Sequence, residues 1–246
     1  MKNKNTSRRK WSIFLIVLVV LAALVAVIIG LLNLYQAQSM NEDPKYWENE
    51  VAKIESRYDG NYPSDVVVFL GSSSIRKWST LAQDMAPIPV VNHGFGGSKI
   101  NDSTYYLDRL VFPFQPRAVV LFAGTNDING IEGSSKTGQQ VYGGFVRFVE
   151  AVRATDPALP IYYISITPTP SRWKIWSDAL EANQLIASYA ETQTGVTFVD
   201  TTDQILGADG LPNNDLFQWD NLHLNADGYA IWTSIIKPIL IEDLGD

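Results

Sequence analysis

Beyond residue 60 the sequence alternates between short apolar runs and helical patterns, and this alternation restricts the chain to one class of fold. Five runs are rich in β-branched residues, as is typical of buried strands: 66–70, 89–92, 118–123, 161–166 and 196–200. Apolar residues recur at helical spacing over 103–112, 139–155, 175–194 and 226–241. Repeated β-α-β units form a parallel sheet with helices on both faces. We therefore predict an α/β domain, a three-layer α/β/α sandwich around a five-stranded parallel sheet.

The first forty residues have a different composition. Residues 13–32 are uncharged and mostly apolar, which is long enough for a helix to span a bilayer core of about 30 Å. Five basic residues precede this run and the first acidic residues, Glu42 and Asp43, follow it, a bias that keeps the N-terminus inside. We predict a cytoplasmic basic tail (1–10), a transmembrane signal-anchor (11–35), a linker and leading helix (36–63) and a main domain (64–246).

Cleavage of the same segment as a signal peptide is the alternative, because residues 37–39, Ala-Gln-Ser, resemble a small-x-small site. In both cases the main domain lies outside the cytoplasm, in the periplasm or at the cell surface, or is secreted after cleavage.

Beyond residue 40 the chain has 14 basic and 26 acidic residues, a net charge of −12. Such a domain repels polyanions, so we expect no nucleic-acid partner. Within 43–58, apolar spacings of three and four predict an amphipathic helix that packs as a lid or first helix.

Three predicted loops follow successive strands and consist of small or polar residues. They cover residues 71–74, 92–97 and 124–127 and read GSSS, NHGFGG and GTND. Ligands of open α/β sheets bind beyond the carboxyl ends of the strands. Glycine also serves tight turns, and Ser, Asn or Asp also caps the helix that follows, so each loop alone is compatible with a purely structural role.

A fourth block lies near the end of the chain, where Asp220 and His223 form D-x-x-H before the last predicted helix. Together the four blocks contain the groups that acyl transfer requires. A serine attacks a carbonyl carbon, a histidine takes its proton and a carboxylate orients the histidine. Backbone N–H groups and an asparagine amide stabilise the oxyanion.

With these four blocks in this order, the sequence resembles the SGNH hydrolase superfamily, also called GDSL esterases and lipases, over about residues 64–241. The resemblance implies a flavodoxin-like SGNH hydrolase fold and a carboxylic ester hydrolase. By position in the blocks, Ser73 is similar to the family's nucleophile, His223 to its base and Asp220 to the partner of the base. The N–H groups of Ser73 and Gly97 and the side-chain amide of Asn126 would form the oxyanion hole.

One position departs from the family pattern, since the Asp before the nucleophile is Ser72 here. This change puts the hydrogen bonding of the loop in question rather than the chemistry. The form GSSSIRxW, with GxNDI and LHLNxxGY, resembles a bacterial subgroup labelled lysophospholipase-like esterase. We expect a membrane-anchored, outward-facing serine esterase that acts on small acyl esters: short-chain acyl esters, acetylated carbohydrates or lysophospholipids. Residues 167–176, TPTPSRWKIW, are expected to shape an acyl or sugar pocket.

Other functions fit the sequence less well. S-x-x-K at 74–77 and K-T-G at 136–138 are the pair of penicillin-binding enzymes, but no S-x-N lies between them and Lys136 is predicted in a loop. Residues 94–99 lack the last glycine of a dinucleotide-binding G-x-G-x-x-G. A non-catalytic carbohydrate- or lipid-binding module on the same fold remains the alternative.

The remaining polar residues receive structural interpretations. Helix capping explains Ser74 and Asp127, and His93 is predicted to be a surface residue of its loop. The chain has no cysteine, and its two histidines lack ligand-like spacing, so we expect neither a metal nor a cofactor.

Overall fold

The main domain is built on a five-stranded parallel sheet, as the sequence predicts. In the computed structural model, which describes residues 3–245, the strands are β1 (Val67–Gly71), β2 (Val90–Gly94), β3 (Ala118–Phe122), β4 (Ile161–Ile164) and β5 (Val196–Val199). Their order in the sheet is β2-β1-β3-β4-β5, with every neighbouring pair parallel. The predicted strand ends differ from the observed ones by at most two residues.

Ten α-helices accompany these strands in the part of the chain that the structure describes. They are α1 (Asn3–Met40), α2 (Glu48–Glu55), α3 (Ser73–Lys77), α4 (Leu81–Met85), α5 (Ile100–Tyr105), α6 (Leu107–Leu110), α7 (Gly138–Thr155), α8 (Trp176–Thr192), α9 (Thr202–Ile205) and α10 (Ala226–Leu244). Short 3₁₀ helices lie at Pro44–Trp47, Phe112–Phe114, Pro170–Ile175 and Asn214–Leu216.

The two faces of the sheet bury separate hydrophobic cores, which makes the domain three-layered. In β1, Val68 and Leu70 belong to one core, together with α2 and α5 to α8. Val67 and Phe69 point to the opposite core, which contains α3, α4, α9 and α10. This alternation follows from the two-residue period of a strand, and burial on both faces explains why the strands are continuously apolar.

The chain divides into two compact units, Met1–Asn41 and Glu42–Asp246. The first unit contains α1, whose segment Ile13–Leu34 is long and apolar enough to cross a membrane, with a mean hydropathy of 3.5. In the second unit, the predicted helix over 43–58 begins as the 3₁₀ helix Pro44–Trp47 and continues as α2. Its residues Val51 and Ile54 are buried in the first core, so α2 packs as the first helix of the domain.

The strand order places the reversal of the sheet at β1. From β1 the chain first adds β2 on one side, and it then returns to add β3, β4 and β5 in turn on the other side. Open α/β sheets bind ligands beyond the carboxyl ends of the strands at such a switch point. The loops that leave β1, β2 and β3 at this point are the three small and polar loops of the sequence.

Candidate active site

Ser73 lies at the first turn after the central strand. β1 ends at Gly71, whose φ of 138° lies outside the range that other residues adopt readily, and a Cβ there would collide with the backbone of Phe122. Ser72 follows in an extended conformation, and its N–H donates to the carbonyl of Phe122 (3.0 Å). Ser73 then begins α3 and is half-buried at the edge of the sheet.

His223 and Asp220 form a chain of hydrogen bonds to Ser73. Nε2 of His223 lies 2.8 Å from Oγ of Ser73, and Nδ1 of His223 lies 2.6 Å from Oδ2 of Asp220. A carboxylate only accepts, so Nδ1 carries the proton and Nε2 of the neutral ring is free to accept from the serine hydroxyl. Oδ1 of Asp220 also accepts from the backbone N–H groups of Leu222 and His223, each at 3.0 Å.

The charges around this chain favour a neutral imidazole beside an ionised carboxylate. Burial opposes ionisation of Asp220, but the hydrogen bonds from His223 and Leu222 outweigh it and lower the pKa of Asp220 to about 2. Burial lowers the pKa of His223 below its usual 6.5. The positive charges of Lys77 and Arg76 lower the pKa of His223 further, and the hydrogen bond with Asp220 offsets this only in part.

Asn126 lies in the turn after β3 and lines one pocket together with Ser73 and His223. Its Nδ2 donates one hydrogen bond to the carbonyl of Ser98 (3.0 Å), and a side-chain amide carries a second hydrogen. The pocket has an empty volume of about 330 Å³.

Gly97 lies in the turn after β2 with a φ of 84°, and it is half-buried between buried neighbours. This turn is fixed to the end of β1, because the N–H of Phe95 (2.9 Å) and the hydroxyl of Ser98 (3.1 Å) both donate to the carbonyl of Gly71. The structure thus brings Ser73, Asn126 and His223 together in the pocket and places Gly97 in the adjoining turn.

A second pocket, with an empty volume of about 250 Å³, adjoins the first. Both pockets are lined by Thr125, Thr167 and Thr169, and the second is otherwise lined mainly by apolar side chains. The expectation that residues 167–176 shape a pocket is consistent with this, since Thr167, Thr169, Arg172 and Trp176 line the walls. The sequence singles out the segments 124–127 and 167–176, which contain the three threonines, but predicts no role for the threonines themselves.

One prediction about this region is wrong, because His93 is not a surface residue. It is fully buried in β2, where Nδ1 lies 2.6 Å from the carbonyl of Leu110 and Nε2 lies 2.7 Å from the hydroxyl of Tyr58. Burial lowers the pKa of His93 to about 4, so this histidine stays neutral and is part of the packed interior of the domain. Within residues 3–245, no group of three or more His, Asp or Glu side chains is arranged to hold a metal ion.

The sequence model of the GDSL-like lipase/acylhydrolase family matches residues 55–231, which is most of the main domain. The chain belongs to this family. It is therefore an ester hydrolase by family, with the α/β fold of SGNH hydrolases. Platelet-activating factor acetylhydrolase IB subunit alpha1 of Rattus norvegicus is 25% identical over 196 residues, which cover 73% of this chain and 78% of the relative.

Two solved structures illustrate the shared fold. A protein from Streptococcus pneumonia, provisionally described as a platelet activating factor, superposes with a TM-score of 0.71 at 19% identity, over 87% of this chain and 99% of that one. A protein from Bacteroides fragilis, provisionally described as an acylhydrolase, superposes with a TM-score of 0.65 at 22% identity, over 77% and 96% of the two chains.

Proposed function

We propose that this family member is a serine esterase that hydrolyses small acyl esters with Ser73 as the nucleophile, His223 as the base and Asp220 as its partner. The observation that carries the proposal is the continuous pair of hydrogen bonds from Ser73 Oγ to His223 Nε2 (2.8 Å) and from His223 Nδ1 to Asp220 Oδ2 (2.6 Å). The two bonds match the order nucleophile, base, orienting carboxylate that acyl transfer needs.

The reaction runs through an acyl-enzyme. His223 Nε2 accepts the hydroxyl proton as Ser73 Oγ forms a bond to the acyl carbon. The imidazolium then gives this proton to the alkoxide that leaves, and the acyl group remains on Ser73. Water next attacks the same carbon with His223 again as base, which releases the acid and restores the serine. Asp220 keeps the proton on Nδ1 in the resting enzyme and stabilises the imidazolium.

The oxyanion is assigned to three donors: the N–H groups of Ser73 and Gly97 and the side-chain amide of Asn126. Preorganised donors are strongest where charge develops and water is excluded. Asn126 supports this assignment because its side chain lines the Ser73 pocket while its position is fixed by the bond to Ser98. The φ of 84° at Gly97 is a conformation that glycine adopts without strain.

The substrates we propose are short-chain acyl esters, acetylated carbohydrates or lysophospholipids. The rat relative is named as an acetylhydrolase, which supports a small acyl group.

A fluorophosphonate probe, which reacts with activated serines, tests the assignment on the full chain in detergent. Wild type, Ser73→Ala, Ser74→Ala and His223→Ala are labelled side by side. Loss of label in the Ser73 and His223 variants, but not in Ser74→Ala, supports the proposal. A folded wild-type protein that takes no label would favour a non-catalytic carbohydrate- or lipid-binding module. Loss of label only in Ser74→Ala would favour the S-x-x-K arrangement.

We also propose that α1 anchors the protein in a membrane with the main domain outside the cytoplasm. The support is the apolar segment Ile13–Leu34 and the change from basic residues before it to acidic residues after it. After cell fractionation, the protein should resist alkaline extraction from membranes. Protease added to cells whose outer membrane or wall has been permeabilised should digest the main domain. A soluble product whose N-terminus follows residue 39 would instead indicate a cleaved signal peptide.

A further inference from the structure

Unpaired buried hydroxyl groups are concentrated beside Ser73. Among the residues that the structure describes, five buried side-chain polar atoms have no hydrogen-bond partner, and three of them are the hydroxyls of Thr125, Thr167 and Thr169. The other two belong to Ser103 and Trp232, which line neither pocket. The three threonines, which we call the threonine wall, are the residues shared by the Ser73 pocket and the second pocket.

Such a cluster requires an explanation, because a hydroxyl buried without a partner destabilises a protein. Valine has nearly the same shape as threonine and would avoid this penalty at each position. Thr167 and Thr169 are 6% and 3% exposed, so bulk solvent does not satisfy their hydroxyls. Unpaired polar groups that a fold retains beside a nucleophile are suited to a ligand that supplies the missing hydrogen bonds.

The backbone around the threonine wall is held firmly. The side-chain amide of Asn183, on α8, bonds both the N–H (2.8 Å) and the carbonyl (3.0 Å) of Ile166, the residue before Thr167. Arg172 donates to the carbonyls of Thr125 and Ile128. The bonds of Arg172 join the loop after β3 to the loop after β4. The backbone that carries the three hydroxyls is therefore held in place by hydrogen bonds.

The neighbouring surfaces define which ligand chemistry fits. Beyond the threonine wall, the second pocket is lined by apolar side chains that include Ile128, Ile166, Ile175 and Trp176. A plain alkyl chain in this position would contact the apolar side but leave three hydroxyls unpaired. A substrate group with its own hydroxyl would contact the same surface and could also form a hydrogen bond with the threonine hydroxyls. Sites built to hydrogen-bond a hydroxyl discriminate strongly against the analogue that lacks it.

We propose that the threonine wall is a subsite for a hydroxyl group of the substrate close to the ester bond. The inference rests on the proposed esterase function, since it places this hydroxyl beside an ester bound at Ser73. The hydroxyl belongs to the acyl part or to the alcohol part of the ester, and the chemistry that the wall recognises is the same in both. The protein therefore prefers hydroxylated esters to alkyl esters of equal size.

Two matched pairs of substrates test the proposal, and each pair exchanges one hydroxyl for one methyl group. p-Nitrophenyl 3-hydroxybutyrate against p-nitrophenyl 3-methylbutyrate tests the acyl side, and 2-hydroxyethyl acetate against propyl acetate tests the alcohol side.

The wild-type protein should show a higher kcat/KM for the hydroxylated member of at least one pair. In Thr167→Val and Thr169→Val this preference should fall about 3- to 10-fold, and the melting temperature should rise. Ser103→Ala removes an equally unpaired hydroxyl outside the pockets and should leave the preference unchanged.

A wild-type protein without preference in both pairs, or Thr→Val variants that keep the preference, would overturn the proposal. Binding to Ser73→Ala, measured as a ligand-induced shift in melting temperature with the same four esters, tests the subsite without turnover. A hydroxyl preference in binding by a protein that takes no fluorophosphonate label would retain the subsite and reject the esterase mechanism. A labelled protein without the preference would do the opposite.

Discussion

Asp220 and His223 are held in place by their own short loop, whereas Gly97 and Asn126 depend on side chains that are distant in sequence. On the base side, Asp220 accepts from the N–H groups of Leu222 and His223, and the N–H of Gln218 donates to the carbonyl of His223 (2.8 Å). Asn221 adopts a φ of 55°, a left-handed conformation that asparagine tolerates. Nearly all of this geometry is encoded within six consecutive residues.

The two loops assigned to the oxyanion hole, the turns that contain Gly97 and Asn126, are joined by a network of charges that runs from buried Asp127 to exposed Glu42. Asp127, beside Asn126, accepts from the N–H of Ile100 at the start of α5 (3.2 Å) and pairs with Lys136 (3.0 Å). Lys136 also pairs with Glu42 (3.3 Å), and Glu42 pairs in turn with Lys99, close to Gly97. The two oxyanion loops are thus connected through Glu42, the first residue of the second unit.

The difference shows that one site can be assembled by two physical means. The loop of Asp220 and His223 relies on local backbone hydrogen bonds, which a short sequence specifies. The oxyanion loops are held by contacts between residues that are remote in sequence. These are the hydrogen bonds to the carbonyls of Gly71 and Ser98 and the ion pairs of Asp127, which is only 2% exposed. Buried ion pairs add little net stability but are costly to break, because one charge is left without its partner. Substitutions in the loop of Asp220 and His223 should therefore change mainly activity, whereas substitutions in the ion pairs of the oxyanion loops should change both activity and stability.

The largest effect is expected on the base side, with Asp220→Asn. An asparagine oxygen can still accept from Leu222 and His223, so the loop should persist, but its NH₂ group no longer accepts from Nδ1 and the wrong tautomer results. We expect kcat to fall about 10⁴-fold with little change in melting temperature. Hydrolysis of p-nitrophenyl acetate measures kcat. The control is Asp215→Asn, an exposed carboxylate in the 3₁₀ helix just before this loop, which should be as active as wild type. A kcat for Asp220→Asn near the wild-type value would remove Asp220 from the mechanism.

The next effect is expected on the oxyanion side, with Asn126→Ala. Loss of one oxyanion donor lowers kcat by about 10² to 10³, and KM should change less because the interaction belongs to the transition state. Steady-state kinetics on one ester separate the two constants. Asn61→Ala is the control, since Asn61 is exposed before β1 and does not line the Ser73 pocket. A rise in KM with unchanged kcat in Asn126→Ala would mean that this amide binds substrate but does not stabilise the oxyanion.

The same division explains what could be predicted from the sequence. The sheet was predictable because strands that are buried on both faces are short, continuous runs of β-branched and aromatic residues. The helices α3 and α4, of five residues each, were missed because they are too short to show a helical period. The predicted helix over 103–112 is in fact α5 and α6, which begin three residues earlier.

Within the site, short motifs indicated the residues but not how they are held. D-x-x-H specified Asp220 and His223 together because the contact between them is local. Asp127 was interpreted as the cap of a following helix, whereas its carboxylate accepts from the start of α5, which lies earlier in the chain. His93 was misplaced because Asn92 and Gly94 resemble a turn, while its partners Tyr58 and Leu110 are remote. Contacts between distant residues leave no periodic signal in a single sequence.

Asp127→Asn tests whether the buried charges position the oxyanion loops or only stabilise the fold. The asparagine can still accept from Ile100, but Lys136 loses its charge partner at this position. We expect the free energy of unfolding to fall by about 1–3 kcal/mol. We also expect kcat to fall about tenfold with KM nearly constant, because a displaced donor weakens transition-state stabilisation. Urea unfolding and steady-state kinetics measure the two effects.

The control for this variant is Glu55→Gln, which removes a carboxylate from the ion pair with Arg109 between α2 and α6. This pair is partly exposed and contacts neither oxyanion loop, so kcat should stay at the wild-type value and stability should change by less than about 1 kcal/mol. If Asp127→Asn loses stability while kcat is unchanged, the network has a structural role alone.

The smallest effect is expected in the pH dependence, with Lys77→Gln. The proposed base, His223, must be neutral to accept a proton, so kcat/KM of the wild type should fall only below about pH 6.5, given that burial and the nearby cations lower the pKa of His223. Lys77 lies 3.7 Å from Asp220, and removing its positive charge makes the imidazolium less unfavourable. The pKa of His223 should therefore rise, and the acid limb of the profile should move to higher pH by less than one unit.

Lys53→Gln on α2 changes the net charge equally and should not move the limb. High salt should shrink the shift, since it screens partly exposed charges. A limb that stays in place in Lys77→Gln would mean that the charge of Lys77 does not act on His223, so that this ion pair, unlike those of the oxyanion loops, has no part in setting the site.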